Sequence, residues 1–316
     1  MIKWERLAHR LVKQFLEINE PYLRSVIEEP PEREKGEPGR EPFRPRWVLA
    51  GLTILSRLFG YSWEETPKNA FSYCTFLTTE EWLNKDHLPG RSTFHSIWDD
   101  EIEINPIRDW ISNQGLQLAL PHDNRIAADS TGIYAGYGKW WRYAKWENGV
   151  KRTHPKFRKI HMGISLPSTA IVTVCLSESK DHDNPHFSHL WKRTPAPLQE
   201  QVSRWHLDNA YWDENICGLI AQHGMWPVIP PRSNSVDHGL SVQDKIVEAY
   251  ENYQGLYKYN HNTEFRSAVE HSFGNIQLAN PSFRVTDRKE KNKRKTLLLP
   301  LVRYNYELYL EEVRES

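Results

Sequence analysis

The chain has 316 residues, of which 39% are hydrophobic and 26% charged, enough apolar material for one large domain or two ordinary ones. Its 41 Lys and Arg balance 41 Asp and Glu, which excludes attraction to nucleic acid through bulk charge; any such affinity must come from local distribution. Cys74, Cys175 and Cys217 are isolated and odd in number, which argues against a disulfide framework and fits a reducing compartment. No apolar run is of signal-peptide or transmembrane type, so the expected location is the cytoplasm, at the nucleoid.

Residues 1–28 predict an amphipathic helix, because Trp4, Leu7, Leu11, Phe15 and Ile18 recur at three- and four-residue steps between charges. Residues 29–46 are rich in Pro, Gly and charge and read as a linker. Residues 47–120 predict a helical, DNA-binding region. WVLAGLTILSRLF is one apolar helix, Ser62 with Glu65 forms a capping-box start, and Ser92 is placed to cap a helix carrying Phe94, Ile97 and Trp98. Short helices joined by tight turns suit a helix-turn-helix and a plain helical bundle equally.

From residue 121 to 316 the pattern becomes α/β. RIAADSTGIYA, FRKIHMGISL, TAIVTVCLSES, VSRWHLDNAY and MWPVIPPR read as strands. NPHFSHLWKR, DENICGLIAQHG and TEFRSAVEHSFGNI read as helices, with starts at Asn184-Pro185 and Asp213 and a stop at Gly224. TLLLPLVRYNYELYLEE reads as a terminal helix interrupted by Pro300. Such an order indicates an α/β domain.

Asp129 is read as closing one apolar strand and Asp208 as closing another, while Glu270 lies on a helix far downstream. Strand ends are where ligand sites sit in open α/β sheets. Converging carboxylates repel one another unless cations neutralise them, and all-oxygen ligands favour Mg²⁺, with Mn²⁺ as substitute. Taken singly, a strand-end Asp is more often a turn or cap residue, and Glu270, four residues after Arg266, has the spacing of a surface ion pair.

The words Asp129-Ser130-Thr131-Gly132, Lys159-Ile160-His161, Ser179 to His182-Asp183, Asp208-Asn209-Ala210-Tyr211-Trp212-Asp213, Pro227 to Arg232, and Arg266 to Glu270 occur in that order. Together they resemble prokaryotic insertion-sequence transposases of the DDE type, over roughly residues 45–310. The resemblance implies a ribonuclease H-like core, a mixed sheet flanked by helices without a long insertion before the Glu, preceded by an all-helical region. It implies Asp129, Asp208 and Glu270 as catalytic metal ligands, with Arg266 matching the motif's Arg. The sequence departs from that motif at Thr263 and Gln277, where the family has Tyr and a basic residue.

The implied activity is an endonuclease and strand transferase of DNA recombination. It would act by two-metal phosphoryl transfer on double-stranded DNA at element ends and target, as a homodimer on DNA. An inactive or domesticated DNA-binding derivative, and a nuclease that cuts without joining, are the alternatives. Expected DNA contacts are Arg266, Lys159 and Arg232 from the words above. Lys139, Arg142 and Lys145 belong to the basic-aromatic run YGKWWRYAKW, which suits base stacking or an ordinary aromatic hairpin. Lys291, Lys293, Arg294 and Lys295 belong to the basic stretch 284–295. His182, His186 and His189 with Asp183 have no Cys nearby and read as a helix face before they read as zinc ligands.

Overall fold

The computed structural model of the protein describes residues 2–31, 45–68, 89–122, 125–134, 157–166, 168–178, 181–235, 239, 241–253, 267–279, 287 and 289–315. The run 137–146 with Lys139, Arg142 and Lys145, most of the 29–46 linker, Thr263, Arg266 and residues 284–286 lie outside them. The chain forms two compact units, one of Met1–Pro106 with Asp287–Leu299, the other of Ile107–Thr286 with Pro300–Ser316.

The first unit is helical. Helix α1 (Ile2–Val26) packs on α2 (Arg46–Leu58), whose residues from Trp47 to Leu58 are all buried. A helix apolar on every side belongs in the middle of a unit, and Gly51 gives Leu16 of α1 room against it. The capping box at Ser62 forms as expected: Glu65 accepts from the Ser62 amide (2.8 Å) and Ser62 Oγ from the Glu65 amide (3.3 Å). Ser92, by contrast, does not cap α3 (Arg91–Ser96); Gly90 takes that position, so Ser92 lies inside the first turn. Helix α3 runs on into a π turn, Ile97–Glu101.

That π turn is held by the first part of α10 (Glu290–Glu315). Asp99, 3% exposed, accepts from Lys289 Nζ and Asn292 Nδ2. Burial works against its charge, but those two hydrogen bonds outweigh it and hold the carboxyl below its usual range. Lys291 donates to the Asp99 carbonyl, and Lys295, 2% exposed, donates to the carbonyls of Trp98 and Ile102. Burial and neighbouring Lys291 bring the Lys295 ammonium down to about 8. Arg57 and Asp287 form a buried ion pair at 3.0 Å, and Thr296 Oγ1 donates to the same carboxylate at 2.6 Å.

The second unit holds a five-stranded sheet. Strands β1 (Arg125–Tyr134), β2 (Phe157–Ser165) and β3 (Ile171–Glu178) pair antiparallel, whereas β4 (Arg204–Leu207) and β5 (Trp226–Val228) run parallel to β1, in the order β3-β2-β1-β4-β5. This order with these directions is the ribonuclease H-like arrangement. Helix α4 (Ile104–Ala119) brings Gly115 onto the Ile171 carbonyl of β3, where a Cβ would overlap it. Helix α5 (Asn184–Arg193) covers β2 and β3, and α6 (Ala196–Gln201) follows it. Helix α7 (Glu214–Gln222) packs on β5 and on α8 (Val242–Asn252).

Phe187, Trp191, Trp205, Leu207, Tyr211 and Ile220 share one buried core with Ala128. Fully burying each large apolar side chain is worth about 1.5–3 kcal/mol. Asp213 caps α7, accepting from the amides of Asn215 and Ile216, and Gly224 ends it at φ +76, a left-handed turn suited to glycine. The sequence reading passes over α8, although Ser241 and Asp244 form a complete capping box at its start.

Helix α9 (Ser267–Ala279) packs on β1. Helix α10 passes through Pro300 without interruption, contrary to expectation. Fully buried Asn305 anchors the part of the helix beyond the proline. The side chain accepts from the Ile171 amide (2.8 Å) and donates to the carbonyls of Ile171 (2.8 Å) and Ile111 (3.0 Å), tying α10, β3 and α4 together.

Asn305→Ala leaves these backbone groups without that partner in a dry interior. The expected cost is about 1–3 kcal/mol, read as a lower urea midpoint with unchanged slope. Asn305→Asp should fall at least as far, since it loses both donors and buries a charge.

Candidate active site

Four paired positions between β1 and β4 run in register, from Arg125 with Arg204 to Ala128 with Leu207. The next residue on each strand is an aspartate, Asp129 and Asp208. Parallel register therefore sends two carboxylates off adjacent strands at one level, about 5 Å apart at the backbone. Asp129 does not close its strand as read from the sequence: β1 continues to Tyr134 against β2, with Asp129 opposite Met162. It stands instead where β4 leaves β1.

Alternation sets the faces. Ser130 Oγ donates to Asp183 Oδ1 (3.0 Å) at the start of α5, so Asp129 points to the opposite face. Its Oδ1 accepts from the Ser130 amide (2.7 Å). Glu270 is exposed in the first turn of α9, the helix on β1, next to buried Val269. Among the described residues, no group of three His, Cys, Asp or Glu forms a ready-made metal cage.

Asp208 caps the short 3₁₀ turn Asn209–Tyr211, its Oδ1 accepting from the Ala210 amide (2.9 Å). Burial, and then the charge of Asp183, raise its carboxyl above the usual range; hydrogen bonds from Ala210 and Tyr211 and the charge of Lys159 oppose the rise. Tyr211 is fully buried. Burial pushes its phenol well up, and the charges of Asp183, Asp129 and Asp208 push it further. Three carboxylates thus act on one phenol.

The third of them, Asp183, is the residue the sequence reading did not assign as a site. Its word was visible, but beside Asn184-Pro185 it reads as a helix start; it stands at the N-cap position of α5, with its carboxylate turned to Ser130 and Lys159 rather than to the helix amides. Lys159 Nζ donates to Asp183 Oδ1 (3.1 Å) and to the Asp181 carbonyl (2.9 Å), with its side chain 22% exposed. His161 Nδ1 stands 3.6 Å from Asp183 Oδ1, and its Nε2 faces Ser177 Oγ at 2.8 Å. Burial brings His161 down to about 4, keeping it neutral near pH 7. Its ring stacks on His186 at 4.5 Å, and His186 Nε2 lies 3.4 Å from Asp181 Oδ2. Buried Cys175 and Cys217 are pushed up to about 12 by burial, so neither is a thiolate at neutral pH.

The other expected DNA contacts divide. Arg232 is exposed beyond β5. Lys291, Lys293 and Arg294 are 49%, 32% and 42% exposed, the last two facing Glu290. Lys295 is a correction: its ammonium sits among backbone carbonyls in the interior of the first unit and does not reach the surface.

Raising a carboxyl in the folded state lowers stability as pH climbs from the unfolded toward the folded value. Asp208→Asn keeps the acceptor for Ala210 and removes the charge. In metal-free buffer it should therefore melt higher than wild type at pH 7. The gain should vanish below about pH 3.9, where both forms are neutral. A gain that persisted at acid pH would place the effect in packing rather than charge.

The transposase DDE domain family matches residues 121–295. Curated proteins give no match. Among solved structures, a pre-cleavage Mos1 transpososome is similar at 10% identity and TM-score 0.24, covering 89% of this chain and 82% of that one. A Mos1 paired-end complex with the left transposon end follows at 11% identity and TM-score 0.25, with the same coverages. The Mos1 strand transfer complex has 12% identity and TM-score 0.23, covering 87% of this chain and 81% of that one. With its match running from just before β1 to the basic stretch of α10, over more than half of the chain, this chain belongs to the transposase DDE domain family, a family of DNA transposases.

Proposed function

We propose that the protein cuts DNA at element ends and joins the freed strands to target DNA, using divalent metal held by Asp129, Asp208 and Glu270. The observation that supports this reading most directly is the parallel register that ends with an aspartate on each of two adjacent strands. The donor set fits hard cations, since all three ligands are carboxylates. So does the electrostatics: Asp208 is a carboxylate made costly by burial and a like charge, which a cation relieves. Mg²⁺ or Mn²⁺ bound there would stabilise the attacking and leaving oxygens of phosphoryl transfer.

The chain's own residues do the rest. The cap on the 3₁₀ turn fixes Asp208, the Ser130 amide fixes Asp129, and exposed Glu270 on α9 supplies a third carboxylate from the helix on β1. Arg232, Lys291, Lys293 and Arg294 supply positive charge for binding phosphates, as do Arg266, Lys139, Arg142 and Lys145 by sequence. The reading carries with it a homodimer on DNA, working at the nucleoid; no helix among the described residues is long and apolar enough to cross a membrane.

An end-containing duplex incubated with the protein should be cut in Mg²⁺ or Mn²⁺ and left whole in EDTA; cutting in chelator refutes the metal reading. Asp129→Asn, Asp208→Asn and Glu270→Gln should each lower cleavage by about 100-fold or more. Near-normal cleavage by Glu270→Gln removes Glu270 from the site. Joined products distinguish a transposase from a nuclease that only cuts, and DNA binding without cutting marks an inactive derivative.

Lys293→Ala with Arg294→Ala should flatten the salt dependence of duplex binding. The slope of log affinity against log salt should fall by about 0.9 for each phosphate that is no longer neutralised. An unchanged slope makes that face of α10 a bystander.

A further inference from the structure

Trp47, Trp98, Trp110, Trp191, Trp205 and Trp212 are buried, whereas Trp226 is 40% exposed. It opens β5 in register with Arg204, the first residue of β4, and Arg204 stands in turn beside Arg125 of β1. Register partners share one face of a sheet at a spacing of about 4.8 Å, so two guanidinium groups and an indole form one row at the strand starts. Arg204 is exposed as well, and neither its guanidinium nor the Trp226 ring has a hydrogen bond, ion pair or ring partner among the described residues. Arg and Trp are the side chains that dominate contact surfaces, since each covers a large flat area and still offers a polar group.

The chemistry of the row narrows its partner. Successive amides of a strand point to opposite edges, and the Trp226 amide donates inward to the Ser203 carbonyl at 2.9 Å. The next position, facing the outer edge of β5, is Pro227, which has no donor, so the edge is blunted against strand addition. Segments 202–206 and 222–228 contain no acidic residue, so a second copy meeting this surface about a two-fold axis would set one basic patch against another. A polyanion with flat rings fits both groups. Base pairing and stacking hide base faces within a duplex, so the indole's partner is an unpaired base.

We infer that Arg204 and Trp226 form a contact for an unpaired DNA strand, the guanidinium neutralising a phosphate and the indole stacking on a base. The inference rests on the proposed DNA cutting, which frees strand ends whose bases can leave the duplex. Arg204 lies four residues before Asp208, about 13 Å at about 3.3 Å per residue, so one strand can reach both.

The test is the binding of a short fluorescein-labelled oligo(dT) to the full-length protein in metal-free buffer, followed by anisotropy, with a duplex of the same length in parallel. Melting temperature controls for folding and should stay near wild type, since both side chains are exposed. Trp226→Ala should weaken oligo(dT) binding about fivefold or more and leave duplex binding within about twofold. Trp226→Phe, which keeps a ring face, should retain most of the affinity. Arg204→Ala should lower the slope of log affinity against log salt by about 0.7, the value for one phosphate of a single strand.

Wild-type affinity for oligo(dT) in Trp226→Ala overturns the inference. So does an equal loss on the duplex, because the ring would then touch something other than an unpaired base. Wild-type protein that cuts an end-containing duplex in Mg²⁺ but does not bind oligo(dT) removes this contact and leaves the cutting reading in place. Protein that binds oligo(dT) through Trp226 but does not cut removes that reading and upholds the contact.

Discussion

The parallel pairing of β1 with β4 is the constraint on which the candidate site depends. Ile126, Ala128, Trp205 and Leu207 are buried together in one core with Phe187 and Tyr211. A slip of one residue in either strand would turn its whole apolar set to the wrong face. The cost of that slip fixes the register. The register in turn decides that Asp129 and Asp208 stand side by side where β4 leaves β1. The placement of the two aspartates is here a by-product of core packing.

The same alternation sends neighbouring residues to opposite faces. Ser130 turns toward α5 and joins the network of Asp183, Lys159 and His161, while Asp129 turns the other way, to the face opposite α5. One face of β1 therefore carries this hydrogen-bonded network and the other presents a carboxylate. His161 illustrates how burial selects protonation: with 0% exposure the neutral ring is favoured even beside Asp183, because desolvation exceeds the attraction.

In the helical unit, basic residues have been put to structural use. A π turn widens the backbone and leaves carbonyl groups without the usual helical partners. Lys295 and Lys291 fill them, while Asp99 gathers Lys289 and Asn292. The buried Arg57–Asp287 pair is stable because Thr296 supplies a further hydrogen bond and Trp63 offers its ring to the guanidinium at 4.9 Å. Segment 287–299 thus completes a unit whose other residues lie at the opposite end of the chain.

What the sequence by itself determined was the order and type of most elements, together with the two aspartates. Alternation, apolar runs and capping residues such as Asp213 and Ser62 are local signals, and they act over a few residues. The ribonuclease H-like arrangement was legible through ordered words rather than through periodicity, since strand order is a long-range property. Tertiary structure decided the rest. It continued β1 past Asp129 because β2 offers a partner that no local pattern announces. It carried α10 through Pro300, with Asn305 tied to β3 and α4 one turn later. It buried Lys295, which in a linear run of charges is indistinguishable from Lys293. And it joined Asp183 to Lys159 across 24 residues, a pairing that exists only once β2 and the start of α5 stand next to each other.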